Sequence, residues 1–149
     1  MQKNKDGGED NLIRRIYKDT AEELALVFFT GGVLYYTVEV LWRGWSHIAM
    51  AVLGGLCFIC LYFMGRLFPR IPLLLYCILG GVIVSLLELG AGELLNNVLG
   101  LGIWDYSSLP LNFRGQVCLL FSFFWCLISL PSFFLSRLMR TMIFGCKEL

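Results

Sequence analysis

Four long apolar runs constrain this chain more than any other feature. They occupy residues 24–41, 47–64, 71–95 and 117–135, and each has the length that an α-helix needs to cross a bilayer, about 20 mostly apolar residues. Of the 149 residues, 58% are hydrophobic and 15% are charged. A soluble domain of this size keeps a large surface fraction and could not bury so many apolar side chains. The sequence therefore predicts an all-α, polytopic membrane protein with four transmembrane helices.

The positive charges predict how the chain is oriented. We divide it into a polar, amphipathic N-terminus (residues 1–20), a transmembrane domain (residues 21–136) and a basic tail (residues 137–149). Four spans place both termini and the loop at 65–70 on one side, with ten of the 12 Lys and Arg residues. Because cytoplasmic loops carry an excess of Lys and Arg, we expect cytoplasmic termini in a bacterial cytoplasmic membrane. The N-terminus has no apolar core before a cleavage site, so it is not a signal peptide.

Net charge and cysteine placement exclude several classes of function. A formal net charge of +1 gives no field that would attract nucleic acid. Five of the six cysteines lie inside apolar runs, where a thiol usually packs as a small hydrophobe, so no disulfide framework is expected. Cys57 and Cys60 form a CxxC pair, but no further Cys or His lies nearby to complete a metal or redox site. We expect no metal and no cofactor.

A shared spacing in the first and third apolar runs indicates an internal repeat. The GGV at residues 31–33 precedes Glu39 by the same interval at which the GGV at residues 80–82 precedes Glu88. Each run then leads into a connector that contains tryptophan and into an apolar return helix. We therefore predict two parallel hairpin repeats related by an axis along the membrane normal. Chance is the alternative, and small residues favour close helix packing in any membrane protein.

Acidic side chains within the apolar runs are the strongest functional signal. Glu39, Glu88 and Glu93 lie in the outer third of their spans, and a central carboxylate costs ~3 kcal/mol on insertion scales. Arg43 follows Glu39 by four residues, so the two side chains share one helix face and can pair. Either these groups handle a ligand or ion, or they form structural ion pairs.

The segment at 96–116 brings further polar groups to the same level. Pro110 and the Asn-Phe-Arg-Gly stretch argue against a continuous helix, yet the segment is too apolar for a freely solvated loop. We predict a re-entrant or interfacial lid that folds back onto the helices. The candidate residues for handling a substrate or ion are Glu39, Arg43, Glu88, Glu93, Asp105, Asn112 and Arg114. Candidate interface anchors are Trp42, Trp45, His47, Trp104 and Tyr106. No catalytic residue is predicted.

Two stretches carry a resemblance to a known family. They are YYTVEVLWRGWSHIAMAVLGGLCF and LLELGAGELLNNVLGLGIWDYSSLPLNFRGQVCLLFSFFWCL, within residues 33–130. The Glu39-Val40-x-x-Arg43 element, the acidic third span and the WDYSSLPLNFRG block resemble the putative ABC-transporter type IV (CmpB-like) membrane proteins, of which this chain looks like a compact member. The resemblance implies a multi-pass protein of permease type. The chain has no GxxxxGK[ST] loop, so any ATP hydrolysis requires a separate ATPase.

Three classes of function follow from these features. The first is a small transporter or permease subunit, which acts in the lipid bilayer as a homo-oligomer or with other membrane subunits. In that case Glu39 and Glu88 would handle a proton, a cation or a cationic substrate. The second is an accessory or structural membrane protein whose charged cluster only stabilises assembly. The third is a lipid-modifying enzyme with paired carboxylates, although no nucleophile or nucleotide-binding motif accompanies them.

Overall fold

Four long helices make up most of the structure. This computed structural model describes the backbone of residues 6–143 and the side chains of residues 21–143. The helices are α1 (Asp6–Arg43), α2 (Ile48–Leu67), α3 (Leu73–Gly92) and α4 (Leu119–Leu138). Each contains a segment that is long and apolar enough to cross a membrane, which confirms the predicted all-α, polytopic fold. The first and last few residues, among them Cys146, lie outside the described residues.

Helix α1 begins well before its apolar run, and π-helical turns lengthen α3 and α4. The backbone of α1 is continuous from Asp6, so the N-terminal segment and the first span form a single helix. It ends at Arg43 and is followed by Gly44, whose φ of 79° suits a glycine and whose amide donates to the carbonyl of Val40. A π-helical turn, Glu93–Val98, extends α3, and a second one, Met139–Ile143, extends α4. The third span therefore runs to Val98 before the chain becomes irregular.

The helices pack as two hairpins joined through α2. Helix α1 packs on α2, α3 packs on α4, and α2 also contacts both α3 and α4. No comparable contact joins α1 to α4 within the described residues. More than half of the α2 span is buried, whereas most residues of the other three spans face outward. The two hairpins therefore leave a gap between α1 and α4, with α2 behind it.

Both GGV motifs lie where a helix crosses its return helix. A Cβ atom added to Gly32 would lie 2.7 Å from the carbonyl oxygen of Ala51 on α2. A Cβ atom added to Gly81 would lie 3.0 Å from the backbone nitrogen of Cys126 on α4. Only glycine permits these backbones to approach so closely, which is the usual role of small residues in membrane helices. The two hairpins share this device, and the repeat itself stays a prediction.

We expect Gly81→Ala to destabilise the second hairpin by about 1–3 kcal/mol, because its methyl group would overpack the contact with α4. Gly90 is the matched control on the same helix, since a Cβ atom added there meets nothing within 4 Å. Gly90→Ala should leave stability unchanged or slightly increased, because alanine favours a helix more than glycine does. Thermal unfolding in one detergent checks this. Equal losses in the two variants would contradict it.

The chain between α3 and α4 folds back onto the bundle. We call residues 99–118 the lid. It contains two short paired strands, β1 (Asn112–Phe113) and β2 (Val117–Cys118), and buries the side chains of Ile103 and Trp104. The indole nitrogen of Trp104 donates to the carbonyl of Gln116 at 2.9 Å. The structure thus contains the lid that the sequence predicts, beginning at Leu99 because the π-helical turn continues the third span.

Candidate functional site

Asn96 fixes the lid to the end of the third span. Its side-chain nitrogen donates to the carbonyl of Trp104 at 3.0 Å and to the side-chain oxygen of Gln116 at 2.8 Å. Its side-chain oxygen accepts from the amide of Ile103 at 2.7 Å. Gln116 also packs against Gly92, where a Cβ atom would lie 2.3 Å from the Gln116 side-chain oxygen. One asparagine therefore pairs polar groups from both ends of the lid.

Glu39 and Arg43 form an ion pair on α1. The carboxylate of Glu39 accepts hydrogen bonds from the guanidinium of Arg43, one helical turn later, and from the hydroxyl of Ser46. Arg43 also donates to the carbonyl of Ile103 at 3.1 Å, and its guanidinium lies 4.7 Å from the centre of the Trp45 ring. The predicted Glu39–Arg43 pair is therefore formed, and it links the first hairpin to the lid.

Glu88 lies in a different environment, because its hydrogen-bond partners are neutral. The carboxylate is 1% exposed and sits a little past the middle of the third span. It accepts a hydrogen bond from the hydroxyl of Tyr35 at 3.1 Å and one from the indole nitrogen of Trp125 at 2.6 Å. Within the described part of the chain it forms no ion pair with Lys, Arg or His. The third span thus holds a buried carboxylate without a cationic partner.

Tyr35 and Trp125 join the two hairpins across the gap between α1 and α4. Their rings are stacked, with centres 5.3 Å apart and planes inclined by 21°. Both rings line a cleft of about 760 Å³ between these helices, whereas Glu88 does not line it. The two rings therefore stand between the cleft and the carboxylate. Tyr35, which donates to Glu88, precedes Glu39 by one helical turn, so the Glu88 site lies next to the Glu39–Arg43 pair.

The remaining acidic candidates lie outside the cleft. Glu93 pairs with Arg114 of the lid at 3.1 Å and accepts from the side-chain amide of Asn97 at 3.0 Å. Asn112 donates to the lid carbonyls of Ser107 and Leu109. The seven candidate residues are thus divided among the Glu39–Arg43 pair, the Glu88 site, the Glu93–Arg114 pair and the internal hydrogen bonds of the lid.

Asp105 organises a turn of the lid and is fully exposed. Its carboxylate accepts from the backbone amide of Ser107 at 2.8 Å and from the Ser107 hydroxyl at 2.9 Å. These two hydrogen bonds, the backbone one first, lower the pKa of Asp105 below its ordinary value, because they favour the charged form. The arrangement indicates a role in the conformation of the lid.

We expect Asp105 to remain ionised as the pH falls to values that protonate an ordinary aspartate, with its hydrogen bonds to the turn lost only below its own lowered pKa. Carboxyl ¹³C NMR of selectively labelled protein measures that pKa. Ser107→Ala should raise it toward the ordinary value, since only the backbone donor is left, while Ser108→Ala serves as the neighbouring control. A titration that is unaffected by Ser107→Ala would contradict the assignment.

The candidate interface anchors have different environments. Trp42 and Trp45 are 74% and 53% exposed. The imidazole of His47 accepts from the amide of Ala49 at 3.1 Å and so caps the start of α2. Trp104 of the lid, by contrast, has a buried side chain that donates a hydrogen bond to the carbonyl of Gln116. Tyr106, also of the lid, stacks on Phe121 of α4. The last two therefore pack the lid against the bundle, because the lid folds inward at this point.

A second polar cluster lies near the opposite end of the helices and has no counterpart among the candidates. Glu23 of α1 is buried, accepts from the hydroxyl of Tyr62 and lies 3.3 Å from Arg66. The guanidinium of Arg140 lies 5.8 Å from the centre of the Tyr62 ring. This cluster ties α1 and the end of α4 to α2. The residues that the sequence analysis missed include Glu23, Tyr35, Asn96, Gln116 and Trp125.

Residues 21–143 contain no group of three or more His, Cys, Asp or Glu side chains that could hold a metal ion. All five described cysteines are free thiols, including Cys57 and Cys60. Chemically, a carboxylate in this site can bind and release a proton or a cation, with Tyr35 and Trp125 as its hydrogen-bond donors.

Four helices that are long and apolar enough to cross a membrane define a multi-pass membrane protein that resides in a lipid bilayer. The family described as Putative ABC-transporter type IV matches residues 26–144, which is most of the chain, and the chain belongs to this family. The match confirms the resemblance carried by the Glu39–Arg43 element and the lid. No curated protein and no solved structure matches the chain.

Proposed function

We propose that this protein is the membrane-spanning subunit of a transporter and that Glu88 carries its proton or cation. The observation that supports this most directly is the Glu88 carboxylate, which is 1% exposed and bonded to the two neutral donors Tyr35 and Trp125. Ionisable groups at such depth are costly and commonly mark ion or substrate pathways. A buried carboxylate without a cationic partner is neutralised most simply by a proton or a bound cation.

The hydrogen bonds of Glu88 suit reversible binding better than a structural role. An ionised carboxylate can accept from both Tyr35 and Trp125, and a protonated one still has acceptor capacity for both. Neither donor requires the charge to be present. The pair Tyr35 and Trp125 comes from helices of different hairpins, so a change at Glu88 alters the contact between the hairpins. Coupling of this kind is what a transport cycle requires.

The alternative hypothesis, a structural role, is supported for the other two membrane-level glutamates. Glu39 pairs with Arg43, and Glu93 pairs with Arg114, so each of these acids has a cationic partner. These pairs hold the lid in place and need no ligand. We therefore assign the transport role to Glu88 and a stabilising role to the two arginine pairs.

In this proposal a separate protein subunit supplies the energy for transport. The sequence contains no phosphate-binding loop, so we expect a separate ATPase subunit, together with a homo-oligomer or other membrane subunits that complete the pathway. We place both termini and the connector at 68–72 on the cytoplasmic side, where such an ATPase would bind. That connector is short, which indicates that the helix ends and the terminal segments supply much of the contact surface.

The test is proton flux into liposomes that contain the protein, purified gently from native membranes with any subunits that accompany it. A pH-sensitive dye inside the liposomes reports proton entry after a membrane potential is imposed. We expect Glu88→Gln to reduce the flux at least tenfold, because glutamine keeps the shape but cannot take up a proton. Glu22→Gln, at an exposed carboxylate where the first span begins, should not change it.

Stability distinguishes the two readings of Glu88. If the carboxylate is a transport group, Glu88→Gln should fold with nearly the same unfolding temperature, since the amide oxygen can still accept from Trp125 and the amide nitrogen can donate to the hydroxyl oxygen of Tyr35. If the carboxylate is structural, the same variant should lose stability while any flux per folded molecule stays the same. Unchanged flux in Glu88→Gln would refute the proposal. A co-purifying ATPase would identify the energy source.

A further inference from the structure

The cleft between α1 and α4 is lined by residues of the candidate site, and it is open along one side. Its rim carries exposed apolar side chains, including Leu34 and Val38 on α1 and Phe124 and Ile128 on α4. Gly54 and Leu61 of α2 lie among the residues behind it. The rim belongs to two membrane-spanning segments, so the opening faces the lipid. Its volume of about 760 Å³ is within the range of sites that bind small molecules.

Aromatic rings dominate the end of the cleft nearest the lid. They come from α1, α4 and the lid itself: Tyr35, Trp42, Tyr106, Phe121, Phe124 and Trp125. The face of an aromatic ring attracts a cation, and clusters of such rings recognise quaternary ammonium groups. An apolar cavity with this lining therefore favours a ligand that carries a positive charge shielded by hydrocarbon.

The charges around the cleft point to the same class of ligand. Arg43 lines the cleft, but its charge is compensated by Glu39, which it binds directly. Glu88, behind the Tyr35–Trp125 stack, has no such compensation among the described residues. When all three groups are ionised, one negative charge is left over. The cleft is thus complementary to a monovalent cation and unfavourable to an anionic lipid headgroup.

We propose that the cleft binds a lipophilic organic cation that enters from the bilayer between α1 and α4. Its apolar groups lie against the walls of the cleft, and Tyr35 and Trp125 separate so that its charge reaches Glu88. The inference rests on the proposed function, which it deepens by naming the class of substrate and its route. It also gives the aromatic stack a role, since the stack closes Glu88 off when no ligand is bound.

The test is binding of tetraphenylphosphonium to the full-length protein in phosphatidylcholine nanodiscs, measured by equilibrium dialysis with empty nanodiscs subtracted. Tetraphenylborate has the same shape and the opposite charge, so it is the matched control ligand. We expect saturable binding of the cation at one site per chain and none of the anion. Glu88→Gln should weaken cation binding at least tenfold. Equal binding of the two ions would overturn the inference.

Two adjacent residues of α1 test the route. Leu34 lines the cleft, whereas its neighbour Val33 is exposed and does not line it. Leu34→Trp should fill the cleft and weaken binding at least tenfold, and Val33→Trp should change it less than twofold. Equal effects of the two variants would overturn the route. If native mass spectrometry instead shows that only Leu34→Trp alters the oligomeric state and the cation does not bind, the cleft is a contact between subunits and the inference is wrong.

Failure of this inference can be separated from failure of the proposed function. Absence of saturable tetraphenylphosphonium binding, together with proton flux that depends on Glu88, would overturn the substrate class and leave the proton-carrying role intact. Absence of both would remove the two proposals together. Cation binding that is lost in Glu88→Gln but unchanged in Leu34→Trp would overturn the lateral route.

Discussion

Asn96→Leu is expected to lower the free energy of unfolding by about 3 kcal/mol and to loosen the lid. The substitution leaves the carbonyl of Trp104, the side chain of Gln116 and the amide of Ile103 without their partner. A buried polar group that loses its hydrogen bond costs about 1–3 kcal/mol, and losses within one network are not additive. Hydrogen exchange should show the local effect, with faster exchange of the Ile103 amide than in the wild type.

The neighbouring asparagine supplies a matched control. Asn97 is exposed, and among the described residues its side chain bonds within its own turn, to Glu93 at 3.0 Å. Asn97→Leu removes the same amide from the same π-helical segment without touching the lid, so stability should change by no more than about 0.5 kcal/mol. Similar losses at the two positions would show that the helix, and not the attachment of the lid, is sensitive to the change.

Arg43→Met is expected to destabilise the protein by about 2–4 kcal/mol. It leaves the Glu39 carboxylate, whose side chain is 13% exposed, with the hydroxyl of Ser46 in place of a cation. Breaking a buried ion pair from one side costs about 3–5 kcal/mol, and the partial exposure of this pair reduces that figure. The variant also removes the hydrogen bond to Ile103 of the lid. Equilibrium unfolding in mixed detergent micelles measures the loss.

A double substitution separates the pair from its surroundings. Glu39→Gln combined with Arg43→Met removes both charges, so it should be more stable than Arg43→Met alone. Arg114→Met is the control, because Arg114 also pairs with a glutamate but its side chain is 62% exposed, where ion pairs contribute about 0–1 kcal/mol. If the double variant is no more stable than Arg43→Met, the unpaired charge of Glu39 is not the cause of the loss.

The class of fold and the pairs that are local in sequence could be predicted from the residues. Four apolar runs of this length predict four membrane-spanning helices. An acid and a base four residues apart on a helix lie on one face, so the Glu39–Arg43 pair could be predicted directly. The lid was also predictable, since Pro110 breaks a helix that its leucines would otherwise keep in the membrane. The extension of the third span to Val98 was not, because the apolar run ends at residue 95 and the polar residues Asn96 and Asn97 follow it.

The partners of Glu88 could not be predicted, because spacing along the chain does not determine how helices are rotated against each other. Tyr35 and Trp125 are separated by 90 positions and lie in runs rich in aromatic residues, any of which could have faced the carboxylate. The burial of Trp104 could not be predicted from the sequence either. A tryptophan at the end of a span is typical of the membrane interface, and only the inward fold of the lid buries this one.

The order of contacts between the helices also bears on how the chain is made. Helix α1 packs on α2, and α3 packs on α4, so each helix meets its main partner soon after it leaves the ribosome. The connector between α1 and α2 is short, and the lid alone separates α3 from α4, so both encounters are local in the chain. This limits the time that the Gly32 and Gly81 surfaces remain open to wrong partners. The lid precedes α4 in the chain, so Gln116 is available to Asn96 before α4 is synthesised. Biogenesis can therefore proceed hairpin by hairpin, and the lid can attach to α3 before α4 completes the second hairpin.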